Sequence, residues 1–275
     1  METLSDYSRL SLNQITTDRW NLREAAEGCA RAGIPGIAIW RHKLAGLDGG
    51  VQEAARIVRD AGLSVSSLCR GGMFPAATAA ERQTRIDDNK RAIEEAAALG
   101  TDVLVLVCGP APDKDIASAR RMVEDGIASV VPFAQEHGVK LGIEPLHPMY
   151  AAERSVINTL SQANAIAEQY TPEQVGVVVD VFHVWWDPDL SAQIARASGR
   201  ILGFHVSDWI VPTPDLLMGR GMMGDGVIDL RGIRSMVEEA SYKGPIEVEI
   251  FNQAIWDRPG DEVLAQIKER YLSCV

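Results

Sequence analysis

Short β-branched runs alternate with longer amphipathic runs rich in alanine, glutamate and arginine along the chain, the pattern of parallel strands joined by covering helices. Strands are predicted at residues 10–15, 37–40, 64–68, 103–108, 140–143, 175–179, 201–206 and 246–250. A helix is predicted after each, at 22–32, 51–61, 79–99, 116–137, 156–169, 190–197, 230–240 and 262–271. Glycines 33, 62, 100 and 138 stand where a helix C-terminus favours a left-handed residue. Eight such units predict a single (β/α)8 barrel over residues 1–275, of the α/β class. An open doubly wound sheet would carry a GxGxxG turn after its first strand, and residues 16–21 read TTDRWN instead.

Length agrees with one barrel, since 275 residues is close to the roughly 250 typical of that fold. The net charge of −11 offers no basic face for nucleic acid or anionic lipid, so the expected partner is a small molecule. The opening METLSDYSRLSL has no cationic segment followed by an apolar one, and no window is apolar enough to span a bilayer. A cytoplasmic protein that does not bind membranes is therefore expected. Cysteines 29, 69, 108 and 274 are scattered without a CxxC pair and are read as reduced. Cys108, closing an apolar run, is read as a buried thiol.

Four strand segments each end in a side chain that can ligate a metal: LGIE at Glu144, VGVVVD at Asp180, ILGFH at His205 and IEVE at Glu249. The C-terminal ends of barrel strands form the functional face, so these four can meet at one point. A single such residue after a strand reads as well as a helix cap or surface acid. Four set directly against apolar strands would be costly unless their charges were balanced. Three carboxylates and one imidazole suit Mn(II), then Mg(II) or Co(II), better than a structural zinc site. Glu247 also points into the barrel by period-two alternation, one layer deeper, and is read as a structural acid.

This constellation resembles the xylose-isomerase-like barrel superfamily of sugar isomerases and epimerases. The resemblance implies metal ligation by Glu144, Asp180, His205 and Glu249, and substrate contacts from His183, three residues after Asp180, and from Arg220 in GRGMMGDGVID. Relatives of the endonuclease IV type carry more histidine ligands and a basic DNA face, and neither is present in this sequence.

A divalent ion on a ketone and its neighbouring hydroxyl lowers the cost of forming an enediolate when a carboxylate or histidine removes the adjacent carbon-bound proton. Return of the proton gives epimerisation or isomerisation, and loss of a β-substituent gives elimination. The segment Glu144-Pro-Leu-His147-Pro-Met-Tyr150 places a second histidine near the mouth. Here the chain resembles the large subunit of bacterial C-glycoside deglycosidases. That resemblance implies a metal-dependent lyase cleaving a 3-oxo-glucoside, with His147 as base and a small second subunit as partner. The alternative is a ketose 3-epimerase or aldose-ketose isomerase, in which Glu144 and Glu249 handle the proton on opposite faces. Trp40, Trp185, Trp186, Trp209 and Trp256 all follow strands and are expected around the mouth, where Trp185 and Trp186 would contact substrate.

Overall fold

The computed structural model describes residues 4–275, so residues 1–3 of the domain and of the opening segment read above lie outside the described residues. Eight parallel strands close into a barrel in which every strand pairs with its neighbours in sequence and the last pairs with the first. They are β1 (Leu10–Asn13), β2 (Gly36–Trp40), β3 (Ser64–Gly72), β4 (Val103–Val107), β5 (Lys140–Ile143), β6 (Val175–Asp180), β7 (Ile201–Val206) and β8 (Ile246–Val248). Eight covering helices alternate with them: α1 (Leu22–Ala32), α2 (Gly50–Asp60), α3 (Ala79–Leu99), α4 (Ile116–Glu136), α5 (Leu160–Ala167), α6 (Leu190–Arg196), α7 (Leu230–Glu239) and α8 (Gly260–Cys274). The predicted (β/α)8 barrel is the observed fold.

Local chemistry fixes many of these boundaries. Asn21 and Thr78 each cap a helix in a reciprocal box with Glu24 and Glu81, satisfying backbone groups that the first turn leaves open. Gly33 and Gly100 terminate α1 and α3 in the left-handed region, as their sequence positions suggested. The helix predicted over 156–169 is shorter, because Asn158 donates to the carbonyls of Leu146 and Ser155 and Thr159 caps the first turn from Leu160. Val156 and Ile157 are buried ahead of that cap instead of lying on a helix face. Residues 14 and 15, placed in the first strand, open a 3-10 turn. Residues 249 and 250 lie past the last strand, although Glu249 N–H still donates to Val206 carbonyl at 3.1 Å.

Two apolar layers hold the barrel. The larger lies between strands and helices; a small interior one packs Cys69, Val103, Val105 and Val178 on the axis. Val178 fills space beside Gly142, where a methyl group would meet its Cγ2 at 2.8 Å. The upper interior is polar instead: Asn13, Glu144, Asp180, His205, Glu247 and Glu249 are all buried there. All four cysteines are free, and burial pushes the Cys108 thiol up to about 12, as expected of a packed rather than reactive thiol. Among the described residues no helix is long and apolar enough to cross a membrane.

The rim of β3 depends on one helix side chain. Gly72 has φ +97°, and a methyl group there would stand 2.1 Å from Val107 carbonyl oxygen. Buried Asn89 of α3 accepts from Gly72 N–H at 2.6 Å and donates to Gly72 carbonyl at 2.8 Å. Replacing Asn89 by Ala leaves both backbone groups unpaired in a dry setting, a loss of about 2–4 kcal/mol and roughly 5–10 °C in Tm. A thermal melt of Asn89→Ala that matches wild type would show that the rim does not rest on this contact.

Candidate metal centre

Strand register brings the four predicted ligands together. Asp180 on β6 lies level with His205 on β7, and His205 lies level with Glu247 on β8, which puts Glu249 two residues nearer the mouth. Glu144 follows β5 directly, and its N–H still donates to Leu106 carbonyl at 3.1 Å. One ligand atom from each of Glu144, Asp180, His205 and Glu249 lies within 4.8 Å of the others, and all four residues are buried.

Hydrogen bonds aim Asp180 and Glu249, and a close carboxylate faces His205. Asp180 spends Oδ1 on the N–H of Phe182, capping the short helix Val181–Val184, which leaves Oδ2 facing inward. Asn13, at the end of β1, donates to Glu249 Oε1 at 3.2 Å and accepts from Trp40 Nε1 at 2.7 Å. His205 points Nδ1 at Glu144 Oε1, 3.1 Å away, while its Nε2 lies 3.2 Å from Glu247 Oε2. Glu247 is thus more than a deep structural acid, since it faces the ring nitrogen opposite the ligand atom and sets the imidazole's orientation.

The cluster's charges are mutually dependent. Burial would lower the His205 pKa, but Glu247, Glu144 and Glu249 hold the ring protonated well above its usual value. Burial raises the Glu144 carboxyl to about 7. Burial would raise Glu249 too, but the Arg220 guanidinium beside it brings it below the usual carboxylate range. Arg220 Nη1 donates to Asp180 Oδ2 at 2.7 Å and to Glu249 Oε2 at 3.1 Å, and Nη2 donates to His183 Nε2 at 3.1 Å. The guanidinium is sandwiched between the Phe182 and Phe251 rings, 4.6 and 5.2 Å from their centroids. His183 is driven down to about 3, first by burial, so it is a neutral acceptor for Arg220.

The ligand set fits a divalent cation. Glu144 Oε1 and His205 Nδ1 are buried and close together, yet neither completes a hydrogen bond of good geometry. Three carboxylates and one imidazole converging in this way match an oxygen-rich site for Mn(II), Mg(II) or Co(II), and zinc also accepts the set. A cation held there would have to displace the proton on His205, so its affinity would fall as pH drops.

Glu144 and Glu249 face a narrow cavity with about 30 Å³ of room for water-sized occupants, open toward solvent. His183, Arg220, Trp40, Tyr150 and Phe251 complete much of its wall. Other predicted residues stand apart from it. His147 stacks on Trp209 with centroids 5.0 Å apart, and its Nδ1 accepts from Met149 N–H. Trp186 donates from Nε1 to His183 carbonyl, Trp185 packs against Trp209 and the core, and Trp256 donates to Ile250 carbonyl. Neither His147 nor Trp185, Trp186, Trp209 or Trp256 lines the cavity.

Some wall residues escaped the sequence reading. Asn13, which holds Glu249 from beside the cluster, ends β1 in the structure but falls inside the strand predicted over 10–15, so it carries no strand-end signal. Arg70, Tyr150 and Arg154 also line the cavity, but nothing in their local sequence distinguishes them.

The family model for the xylose isomerase-like TIM barrel matches residues 26–270. Protein SMc04130 from Sinorhizobium meliloti 1021 is 53% identical, with a TM-score of 0.94 over 98% of this chain and 99% of its own. The 3-dehydroshikimate dehydratase of Pseudomonas aeruginosa is 26% identical over 86% of this chain, which spans only 37% of that protein's length. The IOLI protein, solved with a binding zinc atom, shares the fold with a TM-score of 0.83 at 21% identity over 96% of this chain and 97% of its own. Inosose isomerases and L-ribulose-5-phosphate 3-epimerases are also among the relatives.

Two changes probe the centre. Asp180→Ala removes a ligand, and elemental analysis of the purified variant should find the stoichiometric metal of wild type lost; full retention would disprove the site. Glu247→Gln keeps all four ligands but loosens His205, so titration calorimetry should show Mn(II) bound one per chain with affinity weakened about 10–100-fold. Unchanged affinity would return Glu247 to a purely structural role.

Proposed function

Because the chain belongs to the xylose isomerase-like TIM-barrel family, we propose that it is a divalent-metal-dependent enzyme that moves a proton on the carbon beside a ketone of a polyhydroxylated substrate. The observation that carries this reading is the convergence of Glu144, Asp180, His205 and Glu249 within 4.8 Å, with Glu144 and Glu249 opening onto a cavity. A divalent ion held there supplies Lewis-acid polarisation of the ketone. Asp180, His205 and the two glutamates orient it, and Glu247 and Asn13 orient them in turn.

Epimerisation or isomerisation is the outcome the wall residues support best. Glu144 and Glu249 come from β5 and β8, separated by β6 and β7, and so reach the cavity from different sides. One carboxylate takes the proton from carbon and the other returns it to the opposite face or to the neighbouring carbon. Arg220 and neutral His183 present donors to substrate oxygens while closing the inner end of the cavity to water.

Elimination is the second reading, favoured by the dehydratase relative and by half-buried His147, whose Nδ1 is engaged while Nε2 has no hydrogen-bond partner among the described residues. Burial lowers the His147 pKa, which keeps the ring neutral and able to accept a proton at pH 7. A 3-oxo C-glucoside, losing its aglycone, is the substrate expected in that case, and a small partner subunit would then complete the site.

Product analysis by NMR in D2O separates the two. The Mn(II)-loaded protein, given an inosose, a free ketohexose, 3-dehydroshikimate and a 3-oxo C-glucoside, should place solvent deuterium beside the ketone of an intact skeleton. His147→Ala should keep that exchange near the wild-type rate, whereas Glu249→Gln should lose about 100- to 10,000-fold. Release of water or aglycone, abolished in His147→Ala, would replace the isomerase reading with the lyase.

A further inference from the structure

Two arginines line the cavity besides Arg220, which bridges the candidate ligands. Arg70 and Arg154 both line it, and among the described residues neither side chain makes an ion pair or a hydrogen bond. Arg154 lies over the Tyr150 ring at 5.5 Å, a contact that leaves its charge uncompensated. Arg41, close by, is instead bonded to both Asp88 and Glu95.

Arg70 is also aimed on purpose by the backbone. Along β3, Cys69 pairs with Val105 and Gly71 with Leu106, so Arg70 is the extra residue of a bulge in the ladder with β4. A bulge re-aims a side chain, and here two consecutive residues, Cys69 and Arg70, both reach the cavity. Arg70 further borders a side recess that opens from the same wall and holds Arg85, whose side chain likewise lacks an ion pair. The carboxylates sit at the inner end of the cavity and repel anions there, so an anion is favoured only toward the arginine wall.

We infer that the substrate carries an anionic group, phosphate or carboxylate, remote from its ketone, and that Arg70 and Arg154 select for it. The inference rests on the proposed metal-dependent chemistry and narrows its substrate class. Guanidinium donors match either anion, and in a protein of net charge −11 a local pair of unneutralised arginines is what overcomes the long-range repulsion.

Calorimetry of the full-length Mn(II)-loaded protein with D-fructose, D-fructose 6-phosphate and 2-keto-D-gluconate tests it. At least one anion should bind about tenfold or more tighter than fructose, with the preference falling as salt is added, and the tighter of the two identifies phosphate or carboxylate. Arg70→Gln and Arg154→Gln should bring that anion to within about threefold of fructose, and Arg70→Lys should restore part of the preference because it keeps the charge. Equal affinity for all three ligands, no binding of any, or a preference that survives both glutamine variants would overturn the inference. A protein that binds no Mn(II) yet still prefers anions would sink the metal reading alone. One that binds a single Mn(II) and takes fructose as tightly as the anions would sink this one alone.

Discussion

Four buried carboxylates, Glu144, Asp180, Glu247 and Glu249, crowd the upper end of the barrel, and their mutual repulsion is the constraint on which the rest of the site depends. Unbalanced, such a set would be untenable in a dry interior. Arg220 and protonated His205 supply positive charge from within the chain, each touching more than one carboxylate. That balance is local and incomplete, with four acids against two bases. A divalent cation among the ligand atoms is the natural completion, taking the place of the proton on His205.

The barrel makes this arrangement affordable by rigidity. Each carboxylate projects from, or one residue beyond, a strand whose neighbours are hydrogen-bonded on both sides, and the interior below is packed with Val103, Val105 and Val178. Ligand positions are therefore set by strand register, while final aim comes from the Asn13 side chain, the Phe182 backbone N–H and the Glu247 carboxylate facing His205. The aromatic pair Phe182 and Phe251 clamps Arg220, which sits on a two-residue ribbon with Asp208–Trp209 and is further tied by Asn252 to its own carbonyl.

Much of this was legible in the sequence because barrel chemistry concentrates at strand ends, where a lone polar residue after an apolar run is conspicuous. Glu144, Asp180, His205 and Glu249 each carry that signal. Legibility failed where position depends on something other than strand periodicity. Val156 and Ile157 fit a helical stripe as well as a buried loop, and only the bonds from Asn158 decide between them. Trp185 and Trp186 follow a strand as expected, but the helical turn Val181–Val184 carries them to a packing surface around Trp209. Arg70 reaches the cavity through a bulge and Arg154 from a loop, and neither feature has a sequence signature. That Glu247 faces inward followed from alternation; that it meets His205 Nε2 depended on the register between β7 and β8.

The central claim is that these side chains are assembled around a cation, and anomalous diffraction from crystals grown with Mn(II) tests it most directly. The account predicts one anomalous peak at the manganese edge within bonding distance of Glu144, Asp180, Glu249 and His205 Nδ1, with Glu247 still on His205 Nε2. An anomalous map without a peak there, in a protein whose Arg220 still bridges Asp180 and Glu249, would contradict it and leave Arg220 and His205 to balance the carboxylates.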